Sequence, residues 1–180
     1  MTVFETDRLI VRQWTESEAD VARVFDMLSR WEVARWLGAQ PRVLESPTEA
    51  LAAIRRWRAR SEADGLHGIW AIDVRDTGAT AGSVLVVPLP GVDLQPTDDI
   101  EVGWHLHPDS WGHGYATESA RVAIDRVFAA GHRQIYAVIR EGNTPSVAVA
   151  HRLGMASIGK QTSWYGGIEL DTYRLTAPDR

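Results

Sequence analysis

The chain has 180 residues, a net charge of −5 and no cysteine. The acidic balance argues against a nucleic-acid partner, and the lack of cysteine excludes disulfides, thiolate metal sites and a cysteine nucleophile. No apolar run approaches the ~20 residues that a membrane span needs, and the first residues lack a signal-peptide pattern. We therefore expect a cytoplasmic protein without a nucleic-acid or membrane partner, whose acidic balance favours cationic substrates such as amines.

Three helix starts are marked in the first third of the chain. A β-branched strand at residues 8–14 precedes Thr15–Glu18, a capping-box pattern, and a second cap signature at Ser29 predicts a short helix. Ser46, followed by proline, predicts a third helix, which Gly65 ends. At helical spacing, the first of these helices would bury Val21, Ala22, Phe25 and Leu28.

The rest of the chain alternates strands with two helices. Strands are predicted at residues 68–75 and 80–87, joined by a hairpin turn, and a long loop at 88–98 leads to a strand at 100–106. An amphipathic helix then ends at Gly131. The remaining elements are a strand at 134–139, a short helix at 143–154 and two closing strands at 156–164 and 169–176.

The stretch Trp111–Glu118, with the sequence WGHGYATE, links the strand at 100–106 to the amphipathic helix. A helix N-terminus leaves amide groups without partners, and Gly112 and Gly114 allow the backbone to approach a ligand closely. The stretch therefore reads as an anion cradle, with a pyrophosphate as the obvious anion. It lacks the third glycine of a dinucleotide fingerprint and the lysine of a phosphate-binding P-loop. A tight strand-to-helix turn that simply uses two glycines is the alternative.

Three stretches together resemble the GNAT acetyltransferase superfamily. Residues 109–118 are similar to its acetyl-CoA pyrophosphate loop, and Asn143–Met155 is similar to the Asn-x-x-Ser…Leu-Gly-Phe stretch after its fifth strand. Thr6–Arg12 resembles the opening of the branch that acetylates N-termini of ribosomal proteins. The resemblance implies one α+β domain over residues 1–180, with a mixed, mostly antiparallel sheet of about seven strands flanked by helices. That sheet would be splayed between its fourth and fifth strands.

The resemblance also implies acetyl-CoA as co-substrate, with the pantetheine arm lying along the strand at 100–106. The chain departs from the family pattern at Asp109 and His113, where a more positive residue is usual. It also carries Ala150 in place of a tyrosine that protonates the thiolate in several members. The implied cofactor-binding residues are Trp104, His105, Leu106, Trp111, Gly112, His113, Gly114, Tyr115, Ala116, Thr117, Asn143, Ser146 and Arg152.

Acyl transfer to an amine needs a base, because a free amine is mostly protonated at neutral pH. Glu101 is the first candidate: strand periodicity places it on one face with Gly103 and His105, in the region where the family often has its base. A salt-bridged or solvated carboxylate is the alternative, and Asp99 is a weaker candidate for the base. Ser146 is the candidate hydrogen-bond donor to the cofactor sulfur, or else an ordinary polar residue of a first helical turn.

The histidines His105, His107 and His113 raise the question of a metal site. Two histidines at i, i+2 share a strand face, but no acidic third ligand is clearly spaced with them. We therefore expect no metal.

The acceptor site is the least specified part of the sequence. Trp31, Trp36, Trp164 and Tyr165 belong to segments that border the acceptor cleft in the family, and core packing is the alternative for each of them. The expected activity is transfer of acetyl from acetyl-CoA to a primary amine, either a protein N-terminus or a small molecule, by direct attack in a ternary complex. The alternative function is a non-catalytic module that binds or senses acyl-CoA, and the chain is expected to be a monomer or a homodimer.

Overall fold

One mixed sheet organises the chain. The computed structural model describes residues 1–178, except for the side chains of residues 62–64, and these residues form eight strands in the order β1-β2-β3-β4-β5-β6-β8-β7. The α+β prediction is confirmed; the strand count exceeds the predicted seven because the first residues of the chain pair with β2. The strands are β1 (Thr2–Glu5), β2 (Leu9–Gln13), β3 (Gly68–Val74), β4 (Thr80–Pro90), β5 (Pro96–Leu106), β6 (Gln134–Ile139), β7 (Ala156–Gln161) and β8 (Leu170–Thr176).

The described residues also form five α-helices, and three of them begin at a residue whose side chain caps the helix. The side chain of Ser46 accepts a hydrogen bond from the Glu49 amide, as the sequence predicts, and Gly65 ends that helix in the left-handed conformation. The helices are α1 (Glu18–Leu28), α2 (Trp31–Ala34), α3 (Pro47–Asp64), α4 (Tyr115–Ala129) and α5 (Thr144–Arg152).

The start of α1 differs from the prediction. Its N-cap is Ser17, which accepts from the Asp20 amide, whereas the Thr15 amide and hydroxyl both donate to the Asp20 carboxylate. Thr15 donates to Asp20 and does not cap the helix, because two hydrogen bonds from Arg12 on β2 fix the Asp20 carboxylate in place. No local pattern in the sequence reveals this tertiary contact. Of the predicted inward residues, Leu28 is buried and Val21 and Phe25 pack partly buried against the core, whereas Ala22 is exposed. The helix also buries Asp20, Val24 and Met27.

The predicted loop at residues 88–98 is mostly strand. β4 continues through Pro90 and β5 begins at Pro96, so that only a short turn separates them. Pro90 pairs with Pro96 beyond a shift in register, which tolerates residues that lack an amide donor. The Gly91 amide closes the turn by donating to the Gln95 carbonyl.

Two hydrophobic cores lie on opposite faces of the sheet. Trp70 and Ala71 are neighbours on β3, and successive strand residues point to opposite faces. Trp70 belongs to the core that includes Ala120 and Val127 of α4, whereas Ala71 belongs to the core formed with α1 and α3. Each face of the central strands is therefore covered by helix.

The sheet opens between β5 and β6. These strands are parallel, and their described residues are in register at the single pair Glu101–Tyr136. β5 stays paired with β4 on its other side as far as Leu106, which faces Gly82. The carboxyl-terminal half of β5 thus has an edge turned toward a cleft, in agreement with the splay expected between the fourth and fifth predicted strands.

A substitution at Gly82 tests how closely the backbones of β4 and β5 must approach each other at the cleft. A Cβ at this position would collide with the His105 carbonyl oxygen and lie 2.6 Å from the Leu106 Cα. We expect Gly82→Ala to lower the free energy of unfolding by about 2–3 kcal/mol, because backbone atoms must move. Gly78→Ala is the control: Gly78 also has a positive φ, 68° against 151° at Gly82, but open space around its Cβ position, so about 1 kcal/mol is expected. Equal losses in urea denaturation of the two variants would contradict the close approach.

Candidate active site

Two adjoining cavities occupy the cleft between β5 and β6. The larger, of about 1140 Å³, is lined by the glycine stretch, by α5 and by the end of β5. The smaller, of about 340 Å³, contains Glu101. Their common border is formed by Trp36, Leu37, Trp104, His105, Asn143 and Ser146.

The glycine stretch presents unpaired amides to the larger cavity. Gly112 and Gly114 both have positive φ, 79° and 81°, and Gly114 caps α4 without any side-chain hydrogen bond. Within the described part of the chain, no protein acceptor receives a hydrogen bond from the amides of residues 112–117. The backbone therefore has the form of an anion site, since these donors and the helix dipole point at one space.

A side chain in the first turn of α4 adds to this unsatisfied polarity. The Oγ1 atom of Thr117 is buried and lacks a hydrogen-bond partner among the described residues. Buried hydroxyls are nearly always paired, so an orphaned one beside a cavity indicates a ligand or water that completes the site. Thr117 lines the larger cavity, where it can donate to an anionic oxygen.

Asp109 does not set its negative charge against this anion site. Arg23 of α1 donates two hydrogen bonds to its carboxylate, at 2.8 and 3.0 Å, and Ser110 and His107 also contact it. These partners, Arg23 first, hold the pKa of Asp109 well below its usual range. Asp109, where the chain departs from the family pattern, thus anchors the loop to α1.

The opening motif Thr6–Arg12 also holds the loop. Glu118, in the first turn of α4, accepts from the Thr6 hydroxyl and pairs with the Arg8 guanidinium, which also donates to the His113 carbonyl. The motif singled out in the sequence thereby connects the start of the sheet to the start of α4. The charge of Glu118 is balanced by Arg8 of this motif.

Every residue that the sequence assigns to the cofactor lines the larger cavity. Among them, Asn143 caps α5 by accepting from the Ser146 amide, which leaves the Ser146 hydroxyl at the border of both cavities. Arg152 lies at the exposed end of α5. Ala150 is fully buried in the main core and takes no part in the site. The set is Trp104, His105, Leu106, Trp111, Gly112, His113, Gly114, Tyr115, Ala116, Thr117, Asn143, Ser146 and Arg152.

Glu101 is a buried carboxylate at the point where β5 and β6 meet. It is 7% exposed, and the Tyr165 hydroxyl donates to its Oε2 at 2.6 Å. Burial raises the pKa of Glu101 to about 7, and the hydrogen bond from Tyr165 opposes that rise. The alternative role that the sequence offered, a salt-bridged carboxylate, does not apply to Glu101, because no cation among the described residues pairs with it. Near neutral pH this group can both take up and release a proton.

Tyr165 reaches Glu101 through an unusual backbone conformation. It has a φ of 52°, the left-handed region, directly after Trp164. Trp164 is buried against Tyr136, with ring centroids 5.2 Å apart, and its indole donates to Asp99. This anchor holds the strained turn in place. Asp99 is therefore occupied as an acceptor for Trp164.

His105 stands where the two cavities meet. Its side chain is buried, and both ring nitrogens lack hydrogen-bond partners among the described residues. Burial lowers the pKa of His105 to about 4, so the imidazole is neutral at pH 7. The sequence pointed to the strand backbone here; the unpaired side chain is an additional polar group facing the site.

The four aromatic residues assigned to the acceptor are not brought together. Trp36 lines both cavities and Tyr165 lines the smaller one. Trp31 is 55% exposed and lines neither, and Trp164 packs behind Tyr165. Trp31 begins the short helix α2, whereas Trp36 follows that helix on the side of the larger cavity.

Three charged or aromatic residues of the smaller cavity escaped the sequence analysis as site residues. Trp57 and Arg60 come from α3, and Arg140 directly follows β6. Nothing in the arginine-rich sequence of α3 distinguishes Arg60 from its neighbours. Arg140 had a weak signal, since it ends a buried strand just before the Asn143 motif.

The described residues contain no group of three or more histidine, cysteine, aspartate or glutamate side chains suited to a metal ion. His107 instead contacts Asp26 and Asp109, away from the ring of His105. None of the described helices is long and apolar enough to cross a membrane.

Comparison with known proteins agrees with the fold. An N-acetyltransferase of Bacillus subtilis (strain 168), YoaA, itself uncharacterized, is 30% identical over 182 residues, covering 98% of this chain and 97% of the relative. The structure of an acetyltransferase from Agrobacterium tumefaciens str. C58 superimposes with a TM-score of 0.75 at 23% identity, covering 97% and 94% of the two chains. The ribosomal L7/L12 α-N-protein acetyltransferase RimL, solved with coenzyme A, gives a TM-score of 0.77 at 16% identity over 98% of both chains.

The match to a family model, together with the similarity to YoaA, identifies the chain as an acyltransferase. The model of the acetyltransferase (GNAT) domain matches residues 8–156, and the chain therefore belongs to the GNAT acetyltransferase family.

Burial of Glu101 makes stability depend on pH in a defined window. Its pKa is about 4.5 when exposed and about 7 in the fold, so the unfolded state loses its proton first. Its contribution to stability is present below pH 4.5 and is lost as the pH rises to about 7, by about 3 kcal/mol in total. Glu101→Gln should therefore gain stability relative to the parent chain between these pH values, measured by urea denaturation. A difference that does not vary with pH would contradict the raised pKa.

Proposed function

We propose that the protein transfers an acetyl group from acetyl-CoA to a primary amine by direct attack in a ternary complex. The observation that carries this proposal is the continuity of the two cavities: unpaired amides line one, Glu101 lies in the other, and Ser146 and His105 stand between them. An anionic cofactor and an amine can therefore meet at that border.

The larger cavity suits coenzyme A. The amides of residues 112–117 and the Thr117 hydroxyl would hold the pyrophosphate, and Arg152 supplies a cation for a further phosphate. The free edge of β5 offers backbone groups for the pantetheine amides. When bound, acetyl-CoA supplies an acetyl group activated as a thioester. The backbone of Trp104, His105 and Leu106 is the proposed hydrogen-bonding partner of that arm and its carbonyl.

Glu101 is proposed as the base. A group with a pKa of about 7 is balanced between accepting a proton and remaining available in its ionised form at neutral pH. The amine nitrogen loses a proton to Glu101, directly or through water, and forms the amide bond as the carbon–sulfur bond breaks. The acetylated amine and the thiol of coenzyme A are the products.

Ser146 is proposed to stabilise the sulfur as negative charge develops on it. Its hydroxyl is oriented by the first turn of α5, which the Asn143 cap holds. Because Ala150 offers no proton, Ser146 and solvent are the available donors near that position. A covalent acetyl-enzyme through cysteine is impossible in this chain, which favours direct attack.

The role of Glu101 predicts a specific pH dependence. The kcat/KM for amine-dependent release of free thiol should rise with pH and show a break near pH 7. Glu101→Gln should lose that break and about 100-fold in kcat/KM. Tyr165→Phe should move the break upward, because its hydrogen bond lowers the pKa of Glu101. Asp99→Asn is the control and should keep the break; if Glu101→Gln kept it as well, the base assignment would be wrong.

Thr117 provides a test of the cofactor site that is independent of turnover. Thr117→Val keeps the shape and removes the orphaned hydroxyl, so coenzyme A should bind about three- to tenfold more weakly in calorimetry. Stability should stay equal or increase, because a buried unsatisfied group is lost. Thr176→Val, on an exposed position of β8, should bind coenzyme A like the parent chain. Undiminished binding by Thr117→Val would remove this hydroxyl from the site.

A further inference from the structure

The smaller cavity carries positive charge that the protein does not balance. Arg140 lines it from the end of β6, and Arg60 lines it from α3. Across the described lining residues, Glu101 is the one acidic side chain, and near pH 7 its raised pKa leaves it partly protonated. His105 contributes no charge at this pH. The cavity is therefore net positive although the chain as a whole is acidic.

Arg140 is held rigidly but is not neutralised. Its Nη2 atom donates to the carbonyl oxygens of Gly38 and Ala39, at 2.7 and 3.0 Å. Its Nε atom is buried without a hydrogen-bond partner in the described structure. Neutral carbonyls orient the guanidinium and leave both a donor and a full charge for a ligand.

Arg60 stands at the exposed side of the same cavity. It makes no hydrogen bond or ion pair with the side chains that the structure describes, yet its charge reaches the Tyr165 hydroxyl, where it opposes the rise in pKa that burial causes. Some other arginines are paired: Arg55, on the same helix, contacts Glu16, and Arg23 contacts Asp109. An unpaired guanidinium beside an unpaired donor is a typical arrangement for binding an oxyanion.

We propose that the acceptor is a small amine that also carries an oxyanion, a carboxylate or a phosphate. Arg140 and Arg60 bind the oxyanion while the amine faces Glu101, and Trp36 and Trp57 cover the intervening apolar part. This inference rests on the proposed function and replaces the expectation, drawn from overall charge, that a purely cationic amine is preferred. The volume of about 340 Å³ is in the range of small-ligand sites.

Matched acceptors test the proposal. Free thiol release is measured with α-amino acids, β-alanine and γ-aminobutyrate, each against its carboxamide, and with phosphoethanolamine against ethanolamine. At least one anionic member should exceed its neutral partner by about tenfold or more in kcat/KM. The amino acids and phosphoethanolamine separate a carboxylate from a phosphate. Equal or better use of the neutral member in every pair would overturn the proposal.

Variants of two arginines on α3 test which residue produces the preference for an anionic acceptor. Arg60→Gln should reduce the preference within the preferred pair, mainly through a higher KM for the anionic member, because binding and not chemistry loses one of its two arginine partners. Arg56→Gln removes the same charge from an exposed position of α3 that lines neither cavity, and should change nothing. If the two variants behaved alike, Arg60 would have no part in recognition.

Binding separates this inference from the proposed function. Calorimetry with the same pairs, on the protein saturated with coenzyme A, reports recognition without turnover. Tighter binding of anionic members, with no thiol released from acetyl-CoA by any amine, would reject the enzyme proposal and keep the oxyanion site. No difference in binding within any pair would reject the oxyanion site whatever the turnover.

Discussion

The separation of β5 from β6 is the constraint on which the site depends. Two parallel strands that meet at one pair, Glu101–Tyr136, leave the rest of β5 with a free edge and a cleft beside it. The glycine stretch follows β5 at the end of that cleft, and the Asn143 cap follows β6 on the other side of the cleft. Because both segments start from the splay, the first residues of α4 and Ser146 line the same cavity.

Charges are balanced around the cleft and left unbalanced within it. Asp109 and Glu118 could repel an anion near the glycine stretch, but Arg23 and Arg8 neutralise them and use them to hold the loop. The amides of residues 112–117, the Thr117 hydroxyl, the His105 ring and the Arg140 Nε atom stay unsatisfied in the described structure. Protein interiors seldom tolerate such groups, so their concentration in two connected cavities indicates function.

A strained backbone conformation at Tyr165 supports the geometry around Glu101. Tyr165 adopts a left-handed backbone conformation that costs energy for a residue other than glycine, and the buried Trp164 beside it keeps it there. The result is a phenol that limits the rise of the Glu101 pKa to about 7. Burial by itself would push the carboxylate toward a neutral form. Stability is thus given up at one residue to hold the proposed base, Glu101, at a pKa near neutral pH.

The sequence by itself determined the family, through the resemblance of three motifs, and most of the order of the elements, because glycine positions, caps and periodicity are local signals. It predicted the glycine stretch as the candidate cofactor loop. It also identified Glu101 as the candidate base, since strand alternation places it beside Gly103 and His105. Only the tertiary structure decided the true cap of α1, the continuation of β4 and β5 through residues 88–98, and which residues line the smaller cavity. Arg60 and Arg140 come from elements far apart in the chain, so their shared cavity depends on packing that no local pattern records. Net charge, summed over the chain, could not reveal the sign of the field in that cavity.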